Sequence, residues 1–167
     1  MTPAEIIQII TAAPASVAFG ILFNIRGKKL GAVAVGGGVG WLIYILLRHA
    51  GMDEALGYFL VATLISLYAE TMARLLKAPA TIFIAPSLVP FIPGASLYYT
   101  MAYALDGDTE LFSERAVYTL KLAAALAIGV IVSAVIMKFI AKKLLYRKNA
   151  VEEPLEVKND EQRNQGA

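Results

Sequence analysis

Apolar residues fall in blocks near 4–25, 30–48, 56–76, 79–105 and 116–139, separated by short segments that hold most of the charges. A helix needs about 20 apolar residues to cross about 30 Å of hydrocarbon, so the pattern predicts about five transmembrane helices in an all-α, polytopic bundle. The fourth block is unlike the rest. It would be about 40 Å long as a straight helix, and it carries Pro79, Pro86, Pro90, Pro93 and Gly94. An interior proline lacks an N–H and leaves the carbonyl four residues earlier without its helical donor, here those of Ile82, Pro86 and Val89. The residues before these prolines, Ala85, Val89 and Ile92, are also pushed away from helical ψ. At bilayer depth such a break survives where it is buried in protein or lines a wet cavity, so the fourth helix is expected to be broken into two halves.

Composition agrees, with 58% of the 167 residues hydrophobic and 17% charged. The chain has no cysteine, which excludes thiol nucleophiles and disulfides, and its one histidine, His49, cannot hold zinc alone. With no paired buried aspartates either, no catalytic residue, metal or cofactor is expected, and the protein reads as not an enzyme. Basic residues sit at block ends and form no face for nucleic acid. Ala13-Pro14-Ala15 lies where a signal peptide could be cleaved, but residues 1–12 hold Glu5 and no Lys or Arg. The first block is therefore expected to be retained.

Charge sets an expected orientation. Arg26, Lys28 and Lys29 follow the first span, Arg74 and Lys77 end the third, and Lys138, Lys142, Lys143, Arg147 and Lys148 end the fifth. These ends are expected in the cytoplasm, whereas Arg48 with Asp53 and Glu54, and Asp106 to Arg115, are expected outside. Five crossings with the N-terminus out and the C-terminus in satisfy every end. Residues 1–148 then form the transmembrane transporter domain, and 149–167, polar and highly charged, read as a disordered cytoplasmic tail.

Two sets of residues could carry function. On the third span Thr63, Ser66, Glu70, Arg74 and Lys77 share a stripe about 80° wide. Glu70 lies about 10 Å from the cytoplasmic end, and intramembrane ionisable groups are functional candidates. Glu70 and Arg74 are thus candidates for proton coupling or gating; the alternative is an i,i+4 pair with Arg74 snorkelling to the headgroups. In the broken helix, freed carbonyls and the first N–H groups after Pro93-Gly94 would meet near midplane, suiting an ammonium and a carboxylate respectively. The candidate substrate-binding residues are Pro86, Ser87, Pro90, Pro93, Gly94, Ser96 and Tyr98. The alternative there is a structural kink, with Tyr98 and Tyr99 in an interfacial belt. Lys121 is expected to reach solvent, and Asn24 to cap the first helix. Gly31, Gly36, Gly37, Gly38 and Gly40, and the Ala125, Gly129, Ser133 row, permit close helix packing, within the chain or with a second copy as a homo-oligomer.

The order of these elements resembles the smaller, C-terminal half of the threonine/serine exporter family. Phe19 to Asn24 before a basic turn, Gly36 to Trp41 with Tyr44, Glu70 to Arg74, Pro79, and Pro86 to Gly94 with Leu97-Tyr98 and Gly107-Asp108 carry the likeness, which covers residues 15–140. The resemblance implies an inner-membrane exporter of small polar metabolites, threonine and serine or a dicarboxylate such as succinate, driven by the proton motive force. It also implies a larger membrane subunit of the same family as partner. The alternative functions are a passive channel and a structural membrane subunit without its own substrate site.

Overall fold

The computed structural model describes the backbone of residues 2–165 and the side chains of residues 2–143. Its elements are α1 (Pro3–Leu22), α2 (Lys28–His49), α3 (Glu54–Leu75), α4 (Thr81–Leu88), a 3₁₀ turn at Val89–Phe91, α5 (Gly94–Asp106) and α6 (Thr109–Gln165). Four helices are long and apolar enough to cross a membrane, and α4 through the turn to α5, bent by 59°, makes a fifth candidate when the bent pair is counted as one span. The all-α polytopic bundle is as expected.

Local chemistry sets the ends. Thr2 and Glu5 form a capping box at α1, with Pro3 in the first turn. Asn24 adopts φ 58 just past α1, and the Asn24 and Ile25 amides donate to the Ile21 and Gly20 carbonyls, so its expected capping place holds. Asp53 caps α3 through the Ala55 amide at 3.0 Å. Gly107, at φ 74, closes α5 where an L side chain is strained, and Asp108 at once caps α6 through the Leu111 amide. A sharp α5–α6 hairpin results.

Helix α2 packs against α1, α3 and α4 because its glycines remove the side chains that would hold these neighbours off. Gly38 faces Ala13 of α1, Gly36 faces Ser87 of α4, and Gly40 faces Ile65 of α3 and Phe91 of the turn. The small-residue face of α2 therefore serves packing within the chain. Phe91, fully buried, lies 5.1 Å from the ring of Trp41, 6.0 Å from Tyr44 and 6.1 Å from Tyr58. These contacts dock the break onto α2 and α3. Phe91→Leu keeps an apolar side chain and loses the ring with its aromatic contacts, so it should lower unfolding stability in detergent by about 1–2 kcal/mol, since each aromatic pair contributes ~0.5–1.5 kcal/mol. An unchanged denaturation midpoint would sink this account of the docking.

The chain divides into two compact units, Met1–Ser133 and Ala134–Ala167. The second is the C-terminal run of α6. The segment 149–167, read from composition as a disordered tail, continues this helix in its backbone to Gln165, and its side chains lie outside those described. Glu, Lys and Gln favour helix locally, so composition that cannot build a core can still support helical backbone.

Candidate functional site

The prolines act differently from expectation at two carbonyls. Pro90 cannot donate to Pro86, but the Val89 amide, one residue earlier, does; Pro93 cannot donate to Val89, but the Ile92 amide does at 3.1 Å. The carbonyls of Pro86 and Val89 are thus occupied, because the chain tightens into a 3₁₀ turn whose donor is the third residue on. On the other side of the break the expected free donors are present. The Gly94 amide turns back to the Ile92 carbonyl, and Leu97 is the first to bond the Pro93 carbonyl, while the Ala95 and Ser96 amides have no acceptor among the described residues.

Gly94, Ala95 and Ser96 line a cavity of about 340 Å³. It is lined by Trp41 of α2, Glu54 and Tyr58 of α3, Pro90, Ile92 and Pro93 of the break, Gly94, Ala95, Ser96 and Tyr99 of α5, and Arg115, Tyr118 and Leu122 of α6. Glu54 is its anion. At the first turn of α3, where the helix dipole favours a carboxylate, it accepts from the Tyr44 hydroxyl at 3.1 Å and from the Tyr118 hydroxyl at 2.6 Å. Arg48 stands 3.7 Å away, and the side chain of Glu54 remains 27% exposed. Two phenols and one long ion pair occupy part of a carboxylate's roughly four acceptor positions, leaving capacity for another donor. Arg115 brings the cation, its guanidinium 5.9 Å from the centre of the Tyr118 ring. Trp41 adds a buried indole N–H without a partner among the described residues.

Polar contacts hold the walls in place. Ser96 and Thr119 hydroxyls lie 2.6 Å apart, Thr100 reaches Thr119 at 3.3 Å, and Thr119 donates to the Arg115 carbonyl, so α5 and α6 are tied as one hairpin. Lys121 bonds Asp53 at 3.4 Å, and its ammonium holds the Asp53 carboxyl below the usual carboxylate range. A second cavity, of about 100 Å³ between α2 and α3, is lined by Val35, Val39, Ile43, Leu64 and other apolar residues, with no charged group.

Of the residues singled out from sequence, Pro90, Pro93, Gly94 and Ser96 meet at the polar cavity. Pro86 and Ser87 do not: both are fully buried, and Ser87 donates to the Val33 carbonyl in the α2–α4 contact. Tyr98 is 69% exposed on the outer side of α5, and its neighbour Tyr99 lines the cavity. Glu70 and Arg74 lie near the opposite end of α3 and form no ion pair with each other among the described residues. The sequence placed Glu54 and Arg115 only as charges of the outer connections and did not single out Tyr118. A signal was available, since two expected crossings separate the 48–54 and 106–115 connections and so place them at one end, and Arg115, Tyr118 and Leu122 share a helical face at steps of three and four.

Residues 8–136 match the family described as Threonine/Serine exporter, ThrE. No solved structure matches the chain.

Proposed function

The chain belongs to the threonine/serine exporter family, a family of membrane transporters, and from that premise we propose that it is the membrane subunit of a secondary exporter whose substrate site is the cavity at the broken span. The observation that carries this reading is the gathering of groups of opposite polarity at one small cavity. Glu54 faces it from α3, and Arg115 with the free Ala95 and Ser96 amides faces it from α5 and α6. A zwitterion fits this pattern, with its ammonium at Glu54 and its carboxylate at the amides and guanidinium. Ser96 adds a hydroxyl within reach of a polar substrate side chain.

The finer parts of the proposal follow from charge and family. Export is proton-coupled, with Glu70 and Arg74 as candidates for coupling or gating from the far end, and a larger subunit of the same family completes the transporter. The protein lies in the cell inner membrane with the N-terminus outside, which puts the cavity mouth outward, and residues 149–167 form a cytoplasmic tail beside the transport domain 1–148. The positive-inside distribution of Lys and Arg supports that orientation.

Proteoliposomes preloaded with labelled threonine, serine or succinate, with this chain alone and with its larger partner, test the reading. The expected result is efflux that depends on an imposed proton gradient and requires both chains; Glu70→Gln should retain efflux and lose the gradient dependence. Conduction of all three solutes without response to the gradient would instead identify a passive channel. Correctly inserted protein that releases none of them would leave the structural-subunit reading.

A further inference from the structure

The walls of the cavity come from two parts of one compact unit. Trp41, Glu54 and Tyr58 stand on α2 and α3, at the centre of the packed bundle, while Pro93 to Ser96, Tyr99, Arg115, Tyr118 and Leu122 stand on the α5–α6 hairpin. The hairpin is tied internally by the Ser96, Thr100 and Thr119 hydroxyls. Its attachments to the bundle are of three kinds. Leu122, buried, belongs to the same apolar core as Tyr58, Val61 and Phe91, with Tyr118, Ala125 and Leu126 packed against it. At its ends stand backbone features suited to bending: the Ile92-Pro93-Gly94 break, and Gly129, where α6 crosses α3 so closely that a Cβ would stand 2.6 Å from the Phe59 carbonyl oxygen. Between them, toward the cavity mouth, stand two polar links to α3, Tyr118 to Glu54 at 2.6 Å and Lys121 to Asp53 at 3.4 Å.

We propose that the hairpin formed by α5 and residues 109–128 of α6 is the gate of this cavity, bending at Ile92–Gly94 and at Gly129 and latched to α3 by Tyr118–Glu54 and Lys121–Asp53. Gly129 carries no side chain of its own into α3, so the backbone can bend there, and the tilt draws Leu122 out of the core toward the cavity. Tyr118 lies eleven residues from Gly129, about 16 Å along the helix, so a tilt of about 20° moves it by about 6 Å. That breaks both links. The Lys121–Asp53 pair is exposed and weak, while the part-buried Tyr118–Glu54 bond, to a charged acceptor, is the stronger part of the latch. Glu54 also ties the latch to occupancy, because a substrate ammonium binding its carboxylate competes with the Tyr118 hydroxyl for the same oxygens.

The proposal rests on the cavity being the substrate site, and two experiments separate its failure from the failure of that reading. The chain has no native cysteine, so introduced thiols are unique. In the first, Asp53→Cys with Lys121→Cys, both at exposed positions, is bridged by a bifunctional methanethiosulfonate that forms one mixed disulfide with each thiol. Bridging should lower efflux at least tenfold in the two-subunit proteoliposome, and reductant should restore it. Bridged protein that exports at the reduced rate overturns the gate. In the second, which needs no transport, Leu122→Cys, 2% exposed in the parent residue, is labelled by an impermeant maleimide with the latch intact or removed by Tyr118→Phe with Lys121→Gln. Removal should speed labelling about tenfold, whereas equal rates overturn the gate. Faster labelling in protein that exports nothing would uphold the moving hairpin and reject the transport reading.

Discussion

Glu54→Gln lowers kcat/KM for export of a zwitterionic amino acid by about 10- to 150-fold, the equivalent of one charge-assisted hydrogen bond of about 1.5–3 kcal/mol. The substitution keeps the shape and an acceptor for one phenol, so the packing of Tyr44 and Tyr118 around it is largely retained. What it removes is the negative pole. A dicarboxylate, which meets repulsion from Glu54, should lose nothing and gain in apparent affinity. The opposite signs of the two responses distinguish a binding role from general damage, and they differ from Glu70→Gln, whose expected effect lies in the response to the proton gradient. Concentration-dependent efflux of threonine and succinate measures both. Wild-type kinetics for threonine in the Glu54→Gln protein would remove the cavity from consideration as the substrate site.

The second large effect is on folding. Gly129→Leu should destroy the α3–α6 crossing, because its Cβ alone would stand 2.6 Å from the Phe59 carbonyl oxygen, 2.8 Å from Ala62 Cβ and 3.2 Å from the Thr63 amide nitrogen. Two of these three atoms are backbone and cannot rotate away. Overpacking a core by a few methylenes costs about 1–3 kcal/mol, and a clash with backbone exceeds that, so a loss on the order of 4 kcal/mol and little monodisperse protein are expected. The bond from the Thr63 hydroxyl to the Gly129 carbonyl, 3.3 Å long, goes as well. Gly31→Ala is the matched control. Gly31 lies in α2 with nothing within 4 Å of its added Cβ, so the change should be neutral or stabilise by about 0.5–1 kcal/mol through helix propensity. Melting temperature and size-exclusion profile in detergent report both. Equal stability of the two variants would sink the close-crossing account.

The sequence by itself determined the number and class of the elements, because crossing a bilayer demands about 20 apolar residues per helix and leaves charges at the ends. It also determined that the fourth block breaks near Pro90 and Pro93, which cannot donate whatever surrounds them, although Pro86 sits inside α4 without ending it. The match of residues 8–136 to the threonine/serine exporter family was legible for the same reason, in the proline-glycine block and its Gly107-Asp108 turn. Which groups gather at the break was decided in three dimensions. A carbonyl deprived of its helical donor looks free in sequence, but Pro86 and Val89 find donors one residue nearer once the turn tightens. Ser87 and Ser96 look alike in sequence, yet Gly36 admits the first into the core while Thr119 holds the second at the cavity. Glu54, a capping-turn acid by sequence, becomes the anion of the site because Tyr44 and Tyr118, 10 and 64 residues away, converge on it. Such convergence depends on how helices cross, and crossing is set by packing between distant segments, which periodicity along one segment does not contain.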